Sequence, residues 1–382
     1  MADESIVHLA QQPGPVTHVI VIGVGRYPHL LGGSGPRLQD HQGLGQLTSP
    51  PESAHEVAKW IVEHFHNPNR PLGSVRLLVS EENARVFDNP QTGLQYPVVP
   101  ATIARIGAAF DAWVADGDSN PDNLLVFYFC GHGLANGAFT ALLAEDFGQN
   151  PANALDGAFD FYRNRLGMSR CKAKEQLYLV DACRTNADMT VYAAGYSGRV
   201  FVQPSAKNTT ILRPVLYSTL FGQPAHGRVG QPSHFAEALV TALKGAGSDR
   251  TQGEWRVRTT TLHMAIEAHL KRKAKAGLAT AQISPADDLA TFDIHHLMGP
   301  PHVPVVVSCS PENVLPSARL RCLAGGNIVQ ERPPADGPWE LALQVGSYDF
   351  EAAFDQYPLA RRPGEYVYPP EHRVPLPVEV TP

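Results

Sequence analysis

Several stretches of this chain are apolar almost without a break. The clearest are "THVIVIGV" from position 17, "NLLVFYF" from 123 and "EQLYLV" from 175, with "SVRLLVS" (74–80) close to them in character. A strand with one wet face alternates apolar and polar residues. An unbroken run suits a strand covered on both faces, as in a parallel sheet between two helical layers. Helical periodicities lie between the runs. "ESAHEVAKWIVEHF" sets Ala54, Val57, Ala58, Ile61, Val62 and Phe65 on one face. "ATIARIGAAFDAWVADG" repeats that spacing up to Gly117, and "FDFYRNRLGM" carries a weaker version. "RPVLYSTL" (213–220) reads as a further strand, followed by helical "SHFAEALVTALKGAG" and by "TTLHMAIEAHLKRKAKAG", which begins at a Thr-rich cap. Alternating strands and helices predict an α/β fold over 17–299: a mostly parallel sheet with helices on both faces.

The flanks differ. Residues 1–16 are polar, with Gln-Gln-Pro-Gly-Pro, and read as a flexible tail. After Gly299 the chain turns proline-rich with short alternating runs such as "WELALQV" and "YDFEAAF", the pattern of half-buried strands, so 302–382 reads as a small all-β sandwich.

Composition narrows the function. With 31 Lys and Arg against 37 Asp and Glu, the net charge of −6 speaks against a nucleic-acid-coating role. The one basic cluster, "HLKRKAKAG" (269–277), ends a helical pattern, where cations complement the helix dipole, and reads as a solvated helix end. No apolar run approaches the ~20 residues of a membrane span, and no secretory leader precedes the first strand. Five cysteines without a CxxC pair argue against a disulfide framework or a structural zinc site. A reducing cytoplasm fits, and it leaves thiols free for chemistry. No EF-hand-like run is present, and no cofactor or metal is called for.

Two of the runs end abruptly, one at Cys130-Gly131-His132-Gly133 and one at Asp181-Ala182-Cys183-Arg184. In open α/β sheets the reactive groups lie beyond the carboxyl ends of strands. A thiol attacks a carbonyl only as the thiolate, so it needs a base, and imidazole is the usual one. The oxyanion that results needs preorganised N–H donors, for which the amides of Gly133 and Cys183 are the natural pair. His132 and Cys183 are therefore the candidate base and nucleophile. The plainer readings are a hydrogen-bonded structural histidine and a buried cysteine. The two residues occurring together at two strand ends favours the catalytic reading. Cys130 reads as packing.

"VDACRT", with His132 placed 51 residues before Cys183, resembles the caspase signature. "FYFCGHG", "PVLYSTLFGQPAHG" and "SHFAEALVTALKG" resemble further caspase segments in the family's order, over roughly 17–298. The resemblance is to the caspase- and metacaspase-like cysteine peptidases of bacteria. It implies a role for several more residues. Asp181 stands where metacaspases carry the acid that binds an Arg or Lys side chain, whereas caspases have Gln there. A buried carboxylate at the base of a pocket also wants a cation. No Arg stands at His226-Gly227, where caspases carry the one that selects aspartate, although Arg228 comes next. Cleavage after a basic residue is therefore expected. The second pocket acid of metacaspases falls near Ser53, with Glu52 or Asp40 as substitutes. By the same resemblance Ser218, Thr219 and Leu220 would pair with the substrate backbone, and His226 would border the neighbouring pocket. The long segment Thr185 to Arg213 matches the caspase intersubunit linker, with Arg199 and Lys207 as candidate self-cleavage points and an uncut surface loop as the plainer reading. Relatives act in defence or regulated-death pathways, switched on by an upstream activator. Protein or peptide substrates are the implied partners, with no nucleic acid or membrane involved. The rivals are a caspase-like scaffold without activity, and an amidase acting on small substrates with the same thiol chemistry.

Overall fold

The computed structural model describes residues 3–136, 139–186, 198–203, 211–251 and 253–380. They fall into two compact units, one of Met1–Val240 with Gln282–Phe292 and the other of Thr241–Ala281 with Asp293–Pro382.

The first unit is built on one sheet. Its main elements, in chain order, are β1 (Ile6–Leu9), β2 (Thr17–Val24), α1 (Ser49–His64), β3 (Leu72–Ser80), α2 (Ile103–Ser119), β4 (Leu124–Gly131), β5 (Gly133–Asn136), β6 (Phe139–Leu143), β7 (Ala158–Asp160), α3 (Phe161–Gly167), β8 (Glu175–Ala182), β9 (Thr185–Asn186), β10 (Val215–Tyr217) and α4 (His234–Thr241). The main sheet runs β1-β3-β2-β4-β8-β10 and ends on a strand at Ala286–Asp287. The four inner pairings are parallel and the two edge strands antiparallel. β2, β3 and β4 are buried along their whole length, which is what their unbroken apolar runs imply. One side of the sheet supplies a core of Ile20, Ile22, Phe127, Phe129, Tyr178 and Val180, packed with Trp113 and Phe110 of α2. On α1, Ala54, Val57, Ala58, Ile61 and Val62 are buried as the periodicity predicts, and Gly23 makes room for the helix: a Cβ there would lie 2.6 Å from that of Ala54.

The first residues are not a tail. Ile6–Leu9 add the edge strand β1 to β3, with Val7 buried and Asn89 donating to its carbonyl, while Asp3 forms an ion pair with Arg76. Edge pairing of so short a strand leaves little mark on composition, which is why a polar segment conceals it.

In the second unit, a helix at Thr259–Lys275 accompanies an antiparallel sheet of Ser248–Thr251, Glu254–Arg258 and Asp293–His296. The rest is all β. Trp339–Gln344, His302–Ser310 and His372–Pro377 form one sheet, and Asn327–Arg332, Arg319–Ala324, Gly346–Ala353 and Ala360–Val367 another, around a core that includes Val305, Val307, Leu320, Phe350, Val374 and Leu376. The basic helix end is only partly solvated. Arg272 is 8% exposed and forms an ion pair with Glu371 at 2.8 Å.

Candidate active site

Strand order places the site. Leaving β2, the chain turns to β3 on one side of the sheet. It returns to β4 on the other side, so the carboxyl ends of β2 and β4 lie at the point where the strand order reverses, where open α/β sheets bind their ligands. His132 comes directly after β4, and Cys183 directly after β8, its parallel neighbour. Within these strands Asp181 lies opposite Cys130 and Ala182 opposite Gly131; beyond them Thr185 lies opposite Leu134. The offset is the same on both sides, so Cys183 stands opposite His132 on chains about 4.8 Å apart.

The two glycines flanking His132 have separate causes. A Cβ on Gly131 would lie 2.9 Å from the Tyr27 hydroxyl, and one on Gly133 would lie 2.5 Å from the Cys183 carbonyl oxygen. The glycines let Tyr27 and the Cys183 backbone close in on the histidine from either side.

His132 is 6% exposed, and its orientation is fixed at three points. Its backbone N–H donates to the Tyr27 hydroxyl at 2.9 Å, its ring packs on the Tyr27 ring at 4.8 Å, and Nε2 lies 2.7 Å from the Gly45 carbonyl. A carbonyl only accepts, so Nε2 carries the proton and Nδ1 the lone pair. Nδ1 is buried and has no hydrogen-bond partner among the described residues. An imine-type nitrogen that is buried and unpaired, on a residue standing opposite Cys183, can accept a proton. Burial pushes the imidazole pKa below its ordinary range, with the Gly45 carbonyl pulling the other way.

Cys183 is half-buried, whereas Cys130, Cys171, Cys309 and Cys322 are buried and all five thiols are free. The Ala225 N–H donates to the Cys183 sulfur at 3.3 Å. Burial raises the thiol pKa, that amide lowers it, and the charge of Asp181 raises it. Both shifts favour the neutral forms, thiol and imidazole, over thiolate and imidazolium.

Ala225 belongs to a loop fastened over the cysteine. Arg184 exchanges backbone bonds with Gln223 and Gly222, and its guanidinium stacks 4.1 Å above the Tyr217 ring. Gln282 donates to the Ser218 carbonyl at 2.6 Å and accepts from the His226 N–H at 3.3 Å. This bears on the expected substrate edge. Ser218 and Thr219 are buried, the Ser218 amide donates to Val180, and its carbonyl is taken by Gln282. Ser218 therefore offers no free backbone group in this conformation. Leu220 is 39% exposed, and its carbonyl closes a turn with Gln223. His226 is half-buried at the end of this loop, and Arg228 lies 3.7 Å from Glu237.

Asp181 sits two residues before the thiol, on the sheet face that carries the start of α4, and is 2% exposed. One carboxylate oxygen accepts from the Tyr128 hydroxyl at 3.2 Å, from Cys130 Sγ at 3.2 Å and from the Ser233 hydroxyl. Among the described residues it forms no ion pair. Burial raises its pKa, and these donors, with Ser218, draw it back. Of the three candidates for a second acid position, Ser53 is the one that reaches this cluster: its hydroxyl accepts from the Ser233 N–H at 2.9 Å. Glu52 is engaged with Arg85 at 3.0 Å, and Asp40 is exposed. Cys130 packs as expected, its thiol held neutral by burial and by Asp181.

Of the linker candidates, Lys207 lies outside the described residues. Arg199 has an exposed side chain, but its N–H donates to Ala158 at 2.7 Å and its carbonyl accepts from Asp160 at 3.0 Å. Among the described residues no group of three His, Cys, Asp or Glu side chains could hold a metal ion, and no helix is long and apolar enough to cross a membrane.

The family model of the caspase domain, peptidase C14, matches residues 79–284, more than half of the chain. This chain belongs to the caspase-domain family. The caspase domain thus spans both strand ends, and the family is one of cysteine peptidases. An uncharacterized protein of Sinorhizobium fredii (strain NBRC 101917 / NGR234), y4kE, is 26% identical over 300 residues, covering 77% of this chain and 85% of its own. Among solved structures, the protein GSU0716 of Geobacter sulfurreducens is similar with a TM-score of 0.42 and 13% identity, over 74% of this chain and 94% of that one. Caspase-1 of Spodoptera frugiperda is similar with a TM-score of 0.39 and 12% identity, over 74% and 95%. Around the candidate site, Tyr27, Gly45, Ala225 and Gln282 escape sequence reasoning. They act largely through backbone groups or through loops remote in the chain, and only closure of the fold brings them to the site.

Proposed function

We propose that this protein is a cysteine endopeptidase that cleaves protein substrates after Arg or Lys, with Cys183 as nucleophile and His132 as base. The observation that carries the reading is the buried, unpartnered Nδ1 of His132, its ring fixed through Gly45 and standing opposite Cys183. On attack, the Cys183 proton passes to Nδ1 as sulfur bonds to the scissile carbonyl carbon. The oxyanion is met by the amides of Gly133 and Cys183. Nδ1 then returns its proton to the leaving amine, freeing the first product and leaving a thioester. Water attacks the thioester with Nδ1 taking its proton, and the thiol is restored.

The basic preference rests on Asp181, a carboxylate beside the thiol with no ion-pair partner among the described residues. A long Arg or Lys side chain would displace the Ser233 and Tyr128 hydroxyls from it. For a peptide to lie along Thr219 and Leu220, the loop over Cys183 must open, which suits a latent protein awaiting an upstream activator in a bacterial defence or regulated-death pathway.

A fluorogenic peptide panel varied at the residue before the scissile bond, run on wild type and Cys183→Ala, tests this. Turnover confined to Arg and Lys peptides and absent from the variant is expected. Preference for Asp would overturn the pocket assignment while keeping the peptidase. Equal turnover by the variant would overturn the mechanism, and no turnover by a wild type whose Cys183 is labelled by iodoacetamide, and is therefore accessible, would favour the scaffold reading over latency.

A further inference from the structure

We propose that Gln46 is the positioning residue of the histidine base: one side chain ties together the two segments that orient His132 and thereby sets its tautomer. His132 is held by groups far apart on the loop after β2. The Tyr27 hydroxyl takes its backbone N–H, and the Gly45 carbonyl takes its Nε2 proton. Gln46 joins these two points. Its Oε1 accepts from the Tyr27 N–H at 2.8 Å, and its Nε2 donates to the Tyr27 carbonyl at 2.9 Å and to the Leu31 carbonyl at 3.0 Å. The loop returns through a turn with positive φ at Gln42 (50°) and Gly43 (74°), and Leu31 then bonds Leu44 and bridges Gly45. The Gly45 carbonyl is thus held at a fixed place relative to Tyr27.

Gln46 is itself exposed, yet it folds back to make three bonds to the backbone. A long polar side chain in water gains little by giving up its rotamer freedom on the surface. What the bonds achieve is the relative placement of two backbone segments, and that placement decides which imidazole nitrogen carries the proton. Without the Gly45 carbonyl, nothing described at the ring holds the proton on Nε2, and the base nitrogen would be protonated part of the time. Misplacement on this scale slows chemistry by up to ~10²-fold while leaving substrate contacts alone.

The kinetic half of the test rests on the peptidase reading above; the spectroscopic half does not. Protein labelled with ¹⁵N-histidine, with the His132 signals assigned by difference against His132→Asn, should show the neutral ring in the wild type with its proton on Nε2. In Gln46→Ala, and in Gln46→Glu, which keeps the length but loses both donated bonds, the signals should move toward a mixture of tautomers. In peptide turnover the same variants should lose kcat by about tenfold, with KM within about twofold of wild type. Because Gln46 is exposed, both variants should keep the wild-type circular dichroism spectrum. A tautomer unchanged in both variants would overturn the proposal whatever the kinetics, as would a proton on Nδ1 in the wild type, or wild-type kcat in Gln46→Ala. Mixed tautomers in a protein that turns over no peptide would uphold the positioning role and remove the peptidase reading instead.

Discussion

The two sides of the cleft are built differently. On the histidine side, the loop after β2 reaches His132 at its backbone, its ring face and its Nε2, and leaves it 6% exposed. On the cysteine side, Cys183 is half-buried, and the hydrogen bond at its sulfur comes from the backbone of Ala225, in a loop itself fastened by Gln282. On the reading proposed above, the base is set in place before any substrate arrives, and the nucleophile lies beneath a segment that substrate would have to displace. Such an arrangement separates readiness from access: the fold supplies the first, and the state of the loop over Cys183 decides the second.

Replacing the nucleophile should have the largest effect. Cys183→Ala is expected to lower turnover by ~10⁴-fold or more, to the level of the remaining groups alone. It should also abolish labelling of the native protein by iodoacetamide, since the other four thiols are buried. Residual labelling at one equivalent would locate reactivity elsewhere and end the contrast.

Gly133→Ala comes next because it strikes where the two sides meet. The new Cβ would lie 2.5 Å from the Cys183 carbonyl oxygen and 3.1 Å from the Ala182 Cβ, one a backbone atom and the other fixed directly to the strand, neither a flexible tip. One side must retreat, so kcat should fall ~10²-fold, along with about 1–3 kcal/mol of stability from overpacking. Denaturant unfolding and peptide turnover measure the two losses. Unchanged turnover would mean that the close approach is not needed for chemistry.

Asp181→Asn separates specificity from catalysis. Loss of turnover confined to Arg and Lys peptides, by about 10- to 100-fold, is expected. Its effect on stability is a matter of linkage. The carboxyl titrates in the folded chain above its ordinary 3.8. The stability associated with its protonated form is therefore complete below that value and lost as pH rises through the folded pKa. The amide does not titrate, so the variant should gain on the wild type as melting is followed from acid to neutral pH. A wild type that gains on the variant instead would mean that the carboxylate is stabilised in place by its donors.

The legibility of these features in the sequence obeys the same division. β4 and β8 can be read because strands buried on both faces require unbroken apolar runs, and His132 and Cys183 because they end such runs. Their opposition needs only a constant register between neighbouring strands. What surrounds them cannot be read. The Gly45 carbonyl and the Ala225 amide are backbone groups that every residue type carries, so no letter in the sequence marks them. Ser218 matches a family segment by its letters, but a glutamine 64 positions away takes its carbonyl. Ser53 stands in the sequence as a departure from an acidic position, yet it does reach the Asp181 cluster, through the Ser233 amide that it accepts.

Gln282→Ala should have the smallest effect and the most informative one, because it touches the cysteine side without entering the chemistry. Its amide holds both ends of the loop over Cys183, at the Ser218 carbonyl and the His226 N–H. Burial is the main reason the thiol pKa is raised, and the Ala225 amide opposes it more weakly. Loosening the loop removes both influences, and the larger one decides the sign: the pKa falls and the thiolate fraction at neutral pH rises. Alkylation of Cys183 at pH 7 should therefore quicken by about 3- to 10-fold. In the wild type the rate should keep climbing past the pH at which a free cysteine levels off. Because the histidine side is tied to a different loop, the His132 tautomer should stay unchanged in this variant. If alkylation slows instead, the Ala225 amide outweighs burial, and the loop over Cys183 activates the thiol rather than shielding it.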